Sequence, residues 1–275
     1  MRNRIIIPFF FIVFLGFHFL SIAQFTQEEL AERSKWEEFL KDAKVVSFYQ
    51  QKSREAVTEP WTLTLEKDGI KRNALWKDVE GRSKGSLENW KWEIAAYRLD
   101  KYLGLNMVSP TVERRFQGNR GSCQLYAEYW IKATVKNEKK IKVPSYKIDF
   151  YNKSNYLRWA FDNLIGNEDR HSGNIFITKD WRIILPDHSR SFRTSRKFTK
   201  KLIYTEKHKE GPKIMKELPR AFVEKLKSLN FELISDIVGE YLTEKEINAV
   251  ILRRGLILKV IDERIKELGE DKVLY

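Results

Sequence analysis

The sequence predicts an α+β fold of two lobes, an antiparallel sheet with one helix followed by a mainly helical half. Residues 61–66 and 70–77 alternate apolar and polar side chains around Asp68-Gly69, the pattern of a β-hairpin. After Pro144 the pattern is mostly helical. The basic, polar stretch 136–144 separates the two patterns, so we predict a first lobe over 24–135 and a second over 136–275.

Composition supports a folded chain with a substantial core. The 275 residues are 42% hydrophobic and 32% charged, which excludes a disordered or collagen-like chain. The single cysteine, Cys123, excludes an internal disulfide and a cysteine-based zinc site. A net charge of +13 favours anionic partners, namely nucleotides, lipid headgroups, acidic proteins or nucleic acid.

The first 23 residues have the pattern of a secretory signal peptide. Arg2 and Arg4 precede an uncharged apolar run over 5–20, and Ser21 and Ala23 supply small residues before a cleavage site. We predict cleavage after Ala23 and export to a periplasmic, secretory-pathway or extracellular location. The alternative is an uncleaved membrane anchor, although the run is shorter than the roughly 20 residues that span a bilayer.

The first lobe is predicted from alternation and turn residues. Thr26 and Glu29 form a candidate capping box at the start of its first helix, and Gly104 ends its second. A loop is predicted over 81–85 between two glycines. The predicted helices cover 25–44 and 87–103, and the predicted strands cover 45–48, 61–66, 70–77, 108–116 and 122–131.

The second lobe is predicted from longer apolar periodicity. A capping box of Thr243 and Glu246 begins the last helix. Two short strands flank the turn Lys179-Asp180. The predicted helices cover 146–165, 218–226, 231–241 and 243–268, and the strands cover 175–178 and 181–185.

A constellation of five polar residues points to phosphoryl transfer. Asp169 precedes Asn174 by five residues, the spacing of a catalytic base and a metal-binding asparagine in protein kinases. Asp187 follows at the end of a short hairpin, where the second metal ligand belongs. Upstream, Lys77 ends a strand and Glu93 lies in the next helix, as a phosphate-contacting lysine and its partner do. Any of these residues alone is a weak signal, whereas all five occur in order on the expected elements.

These residues lie in segments that resemble the catalytic core of the phosphatidylinositol 3-/4-kinase-like family, which is grouped with HipA-type and secretory-pathway atypical kinases. The segments are Phe-Asp-Asn-Leu-Ile-Gly-Asn-Glu-Asp-Arg-His-Ser-Gly-Asn at 161–174, Leu-Pro-Asp-His at 185–188, Trp-Glu-Ile-Ala-Ala-Tyr-Arg-Leu-Asp at 92–100, Val-Ser-Pro-Thr at 108–111 and Gly-Asn-Arg-Gly-Ser-Cys-Gln at 118–124. The likeness extends from about residue 45 to the final helix and is to bacterial members in particular. It implies a two-lobed, protein-kinase-like fold.

The resemblance also implies roles for individual residues. Asp169 would be the catalytic base, Asn174 and Asp187 would bind Mg²⁺ or Mn²⁺, and Lys77, paired with Glu93, would contact the phosphates of ATP. Gln124 and Glu128, near the link between the lobes, are candidate nucleotide contacts. The expected activity is transfer of the γ-phosphoryl group to an unknown hydroxyl acceptor.

Two departures from the family pattern keep a pseudokinase open as the alternative. The connection over 51–60 contains no glycine where a phosphate-binding loop usually has several, and only Ser53 and Arg54 offer side-chain contacts there. His188 and Ser189 replace the phenylalanine and glycine of Asp-Phe-Gly.

Residues 190–213 occupy the position of an activation segment and hold nine Lys and Arg against two Glu. Such a segment could receive a lipid headgroup, a membrane surface or an acidic protein, or be an ordinary solvated loop. Aromatic residues do not interleave with the basic ones, which argues against nucleic acid. An interaction module without nucleotide chemistry is the third hypothesis.

Overall fold

A computed structural model describes residues 25–51, 59–83, 85–204 and 215–275 of the chain. The predicted signal segment lies outside these ranges, as do Ser53, Arg54 and the end of the basic segment. No helix in the described ranges is both long and apolar enough to cross a membrane.

The first lobe is built on a five-stranded antiparallel sheet. Its spatial order is β1-β2-β3-β7-β6. Leu63, Trp76 and Cys123 form part of its buried core. The strands are β1 (Lys44–Gln50), β2 (Trp61–Lys67), β3 (Ile70–Lys77), β6 (Thr111–Phe116) and β7 (Asn119–Leu125).

The predicted hairpin turn is confirmed. Asp68 and Gly69 have φ of 52° and 74°, both in the left-handed region that a type I′ turn requires. Because this turn fixes the register, Trp61 pairs with Trp76 at the far end of β2 and β3. Lys77 therefore lies at the end of an inner strand.

Two predictions around residue 85 are wrong. The predicted loop is a hairpin of β4 (Glu80–Ser83) and β5 (Ser86–Asn89), and helix α3 (Trp90–Leu103) begins three residues later than expected. Asn89 has extended backbone, and its side chain accepts the Lys91 N–H at 2.9 Å, which defines the true helix start. Gly104 ends α3 in the left-handed conformation, as predicted.

Other first-lobe boundaries shift by a few residues. The predicted N-terminal helix is divided at Glu32 into α1 (Gln27–Ala31) and α2 (Arg33–Asp42), with the Thr26–Glu29 capping box present. The strand expected over 108–116 begins only at Thr111. The strand expected over 122–131 ends at Leu125, because the chain then leaves the first sheet.

The second lobe is mainly helical, as predicted, with a three-stranded sheet of order β10-β9-β8. Its strands are β8 (Ile131–Lys132), β9 (Phe176–Ile177) and β10 (Ile183–Ile184). Its α-helices are α4 (Ala133–Glu138), α5 (Ile148–Ile165), α6 (Arg196–Thr199), α7 (Arg220–Ser228), α8 (Phe231–Val238) and α9 (Glu244–Leu268). The capping box at Thr243 is confirmed, whereas part of the predicted 136–144 connection is helical. The lobe boundary at 135/136 stays a prediction, although β8, which precedes it, pairs with β9 of the second lobe.

Arg253 of α9 fixes the point where α5 ends. Its side chain is fully buried and donates to the carbonyls of Leu164 at 2.8 Å and Arg193 at 2.6 Å. Gly166 follows α5 with φ of 64°, and a Cβ there would lie 2.9 Å from the Arg253 guanidinium carbon. Only glycine suits both the backbone and the close approach, so the loop after α5 begins at a fixed place.

The buried carboxyl of Asp100 makes stability depend on pH. Burial raises its pKa from 3.8 to about 7, although the carboxyl accepts the Met107 N–H at 2.9 Å. The native state therefore binds this proton more tightly than the unfolded chain, and its contribution to stability is lost as pH rises from about 4 to about 7.

We expect Asp100→Asn to remove this dependence, because the amide keeps the acceptor for Met107 and does not ionise. The unfolding free energy of the variant relative to that of the native protein should rise by about 1–3 kcal/mol between pH 5 and pH 7.5. Urea unfolding at several pH values measures it. Parallel pH profiles for the two proteins would refute the assignment.

Candidate functional site

Three of the five sequence-predicted residues meet in one cluster. The Nζ of Lys77 lies 2.6 Å from Oε1 of Glu93 and 2.9 Å from Oδ1 of Asp187. Lys77 reaches the cluster from the end of β3 and Glu93 from the first turn of α3. The side chains of Lys77 and Glu93 are 5% and 3% exposed, whereas that of Asp187 is 44% exposed and opens to solvent.

The three side chains of the cluster stabilise one another in their charged forms. Burial by itself lowers the pKa of Lys77, but the carboxylates of Asp187 and Glu93 outweigh it and hold that pKa above its usual value. Burial raises the pKa of both carboxyl groups, yet the Lys77 ammonium outweighs it and leaves each pKa below its ordinary value. At neutral pH the site therefore contains one cation and two anions.

Asp169 and Asn174 belong to one loop that side-chain amides hold in shape. Asn167 Oδ1 accepts the Asp169 N–H at 3.1 Å, and Asn174 Nδ2 donates to the Asp169 carbonyl at 3.0 Å. Asn174 Oδ1 also accepts the His171 N–H at 3.0 Å. The five-residue spacing thus allows the side chain of Asn174 to hydrogen-bond to the backbone of Asp169.

His171 caps the short turn within this loop. Its Nδ1 accepts the Gly173 N–H at 3.0 Å. A Cβ on Gly173 would approach the His171 ring to 2.8 Å, so a larger residue there would displace the exposed imidazole. The imidazole therefore shapes the loop.

Arg170 joins this loop to the segment that carries Asp187. Its side chain is fully buried, with Nε 3.2 Å from Asp162 Oδ1. Nη1 donates to the carbonyls of Asn174 at 2.8 Å and Pro186 at 2.6 Å. Because Pro186 immediately precedes Asp187, this one guanidinium fixes the distance between the two halves of the site.

His188 links the same region to Glu93. Its backbone N–H donates to Glu93 Oε2 at 2.9 Å, and its ring Nε2 lies 2.9 Å from Nη2 of Arg170. Arginine can only donate, so Nε2 is the acceptor and the ring is neutral. Complete burial agrees with this, since it lowers the pKa of His188 despite the nearby Glu93 carboxylate.

The segment that begins at Asp187 has a distinctive backbone and an added side-chain contact. Asp187 itself has φ of 60°, in the left-handed region. Ser189 Oγ lies 3.0 Å from Asp187 Oδ1 and 3.1 Å from Glu88 Oε2, so its hydroxyl hydrogen can serve either carboxylate. The serine therefore adds a side-chain contact at the position where Asp-Phe-Gly would have a glycine.

Sequence reasoning missed Glu88 and Arg190. Glu88 was placed in a helix, and Arg190 was placed in a basic segment expected either to receive an anionic partner or to be a solvated loop. In the structure Glu88 is 1% exposed on β5, and Arg190 Nη2 lies 2.8 Å from its Oε1. Arg190 Nη1 also lies 3.2 Å from Asp169 Oδ2. No local pattern could have found this contact, because the two residues are 102 positions apart.

The donors present fit a hard divalent cation bound together with phosphate. Asp187 offers a half-exposed carboxylate and Asn174 an amide oxygen, both ligand types of Mg²⁺ and Mn²⁺. The described residues contain no cluster of three or more His, Cys, Asp or Glu side chains suited to a metal. Such an ion would complete its coordination with phosphate oxygens and water, as Mg²⁺ usually does.

Comparison with known proteins identifies the fold. The chain aligns with hydra Fam20 crystallised with sugar, at a TM-score of 0.63 and 15% identity, over 93% of this chain and 95% of that one. It also aligns with the Golgi casein kinase at a TM-score of 0.62 and 14% identity, over 92% of this chain and 79% of that one. A Golgi casein kinase structure with Mn and ADP bound aligns at a TM-score of 0.61 and 15% identity, over 92% of this chain and 80% of that one.

The chain has the two-lobed fold of these kinases. This confirms the predicted fold class. At such low identity the likeness is one of fold. No protein-family model matches the sequence, and no curated protein matches it.

Two of the remaining predicted nucleotide contacts lie on β7 or in the segment that follows it. Gln124 is opposite Leu75 in the register of β7 and β3, and its amide donates to Thr111 Oγ1 at 2.9 Å. Glu128 is exposed in the segment between β7 and β8. Their roles stay predictions, and those of Ser53 and Arg54 fall outside the described residues.

Proposed function

We propose that the chain is an ATP- and divalent-metal-dependent phosphotransferase. The observation that carries the proposal is the cluster of buried Lys77 and Glu93 with half-exposed Asp187, which Arg170 joins to the loop of Asp169 and Asn174. The fold supports it, since a similar chain has been crystallised with Mn and ADP.

In this proposal each residue has a distinct task. Asp187 and Asn174 would hold Mg²⁺ or Mn²⁺, which supplies positive charge to the phosphates of ATP. Lys77, oriented by Glu93, would contact the phosphates as well. Gln124, Glu128, Ser53 and Arg54 remain the proposed further contacts to the nucleotide.

Asp169 would act on the acceptor. Its carboxylate would orient the acceptor hydroxyl and take its proton as the oxygen forms a bond to the γ-phosphorus. The bond from that phosphorus to the β–γ bridging oxygen breaks, and ADP leaves. Most of the rate enhancement would come from positioning and from neutralising charge on the transferring group.

The finer parts of the proposal concern family, acceptor and location. We infer a bacterial phosphatidylinositol 3-/4-kinase-like, HipA-related kinase that is exported after cleavage near Ala23. The acceptor would be a lipid headgroup or an acidic protein, because the segment 190–213 is strongly basic. The same segment could contact a membrane surface.

The test is ATP consumption by the purified chain with Mg²⁺ or Mn²⁺. We expect Asp169→Asn to lower turnover by about 10²–10⁴-fold while nucleotide still binds, because only the proton acceptor is lost. Asp187→Ala should lower both turnover and metal-dependent nucleotide binding. Asp149→Asn, at a side chain 76% exposed on the first turn of α5, is the matched control and should change neither.

Two results would contradict the proposal. Full turnover in Asp169→Asn would remove that residue as the base. Nucleotide binding without turnover in the native protein would instead favour the pseudokinase alternative, with the glycine-free connection over 51–60 as the first region to examine.

A further inference from the structure

Arg190 lies three residues beyond Asp187 and bridges two carboxylates. Its Nε and Nη2 lie 3.0 and 2.8 Å from Glu88 Oε1, and its Nη1 lies 3.2 Å from Asp169 Oδ2. One edge of the guanidinium therefore contacts Glu88 of the β4–β5 hairpin, and another contacts Asp169 of the loop after α5. A lysine has no planar edge of two N–H groups, so it would not hold Glu88 in the way that Nε and Nη2 of the guanidinium do.

Glu88 is the fixed end of this bridge. It is 1% exposed on β5, where it pairs with Gly81 of β4. A buried carboxylate is costly without a counterion, so Arg190 stabilises the hairpin as the hairpin holds Arg190. The neighbouring Asn89 N–H donates to the Ser189 carbonyl at 2.9 Å, which binds the hairpin to the backbone beside Arg190.

At the other end of the bridge, the carboxylate of Asp169 can change its orientation. Its backbone is held by Asn167 and Asn174, but these contacts leave the carboxylate itself unrestrained. Among the described residues, Arg190 is the only side chain in an ion pair or hydrogen bond with that carboxylate. The side chain is 36% exposed, so without the guanidinium it could rotate toward solvent.

We propose that Arg190, held by Glu88 of the β4–β5 hairpin, is the positioning residue that sets the orientation of the Asp169 carboxylate. This inference rests on the proposed function, in which that carboxylate receives the acceptor proton. The hairpin then controls the transfer step through Arg190. A misplaced base slows chemistry, while ATP is still held by other groups, so the effect falls on kcat.

The experiment compares Arg190→Gln, Arg190→Lys and Glu88→Gln with the native full chain. The control is Lys91→Gln, which removes the 2.9 Å ion pair to Glu80 of the same hairpin and leaves the Arg190 bridge in place. The probe is ATP with Mn²⁺ and water as the acceptor, followed as phosphate release. Initial rates give kcat and the KM for ATP.

We expect Arg190→Gln to lower kcat about tenfold or more and to leave the KM for ATP within about twofold. Arg190→Lys and Glu88→Gln should fall between it and the native protein, and Lys91→Gln should match the native protein. An unchanged or increased kcat in Arg190→Gln would overturn the proposal, the increase because Arg190 would then be blocking the base. A change in KM alone would overturn it too.

A second measurement separates this inference from the proposed function. If the native protein releases no phosphate, the proposed function fails, and crystal structures of native and Arg190→Gln proteins decide the positioning role. An Asp169 carboxylate that adopts a new or several orientations in the variant supports it. A carboxylate that keeps the native orientation refutes it.

Discussion

Replacing Lys77 with methionine is expected to abolish ATP turnover and to lower the free energy of unfolding by about 3–5 kcal/mol. The ammonium lies 2.6 Å from Glu93 and 2.9 Å from Asp187, and Glu93 is nearly inaccessible to water. Without the cation a buried carboxylate is left unpaired beside a second one. Phosphate release and urea unfolding, both on the same preparation, measure the two effects.

A double variant separates the effect of Lys77 on stability from its effect on turnover. Adding Glu93→Gln to Lys77→Met removes the unpaired buried charge, so about 1–3 kcal/mol of stability should return while turnover stays absent. Lys91→Met, at an exposed ion pair with Glu80, is the control and should leave stability within about 1 kcal/mol of native. Native stability in Lys77→Met would show that the cluster does not hold the lobe together.

Arg170→Met is the second substitution with a large expected effect. The guanidinium is fully buried and serves Asp162, the Asn174 carbonyl, the Pro186 carbonyl and His188. Methionine fills part of the volume but donates nothing, so these acceptors lose their partner. We expect a loss of about 3–5 kcal/mol and a Tm lower by about 10 °C, with turnover lost as well.

Arg220→Met is the matched control for this experiment. Arg220 pairs with Glu270 and Asp271, and its side chain is 44% exposed. The same chemical change there should cost less than about 1 kcal/mol. Equal stability of the two variants, or native turnover in Arg170→Met, would contradict the view that Arg170 ties the loop to Asp187.

The predicted order of the five site residues depended on short-range signals, and three of them meet in space. Asp68-Gly69 sets the register of β2 and β3, which places Lys77 at a strand end. Glu93 was placed in a helix, and the structure has it in the first turn of α3. Both results follow from turn and helix chemistry that acts over a few residues.

The hairpin of β4 and β5 could not be predicted in this way. Gly81 and Gly85 resemble loop residues, and the residues after them fit a helical pattern. The strand pairing is stabilised by contacts outside the segment, since Arg190 neutralises Glu88 and the Ser189 carbonyl accepts the Asn89 N–H. Tertiary contacts here override the local preference.

The sequence by itself determined the two-lobed fold class, the hairpin turn, the C-terminal end of α3 and the candidate residues for phosphoryl transfer. Only the tertiary structure decided that Arg170 spans the loop and the Asp187 segment, and that Arg190 joins Glu88 to Asp169. The physical reason is the distance along the chain over which each kind of interaction acts. Turns and caps depend on neighbouring residues, whereas buried ion pairs between distant residues form only when packing brings the charges together and excludes water.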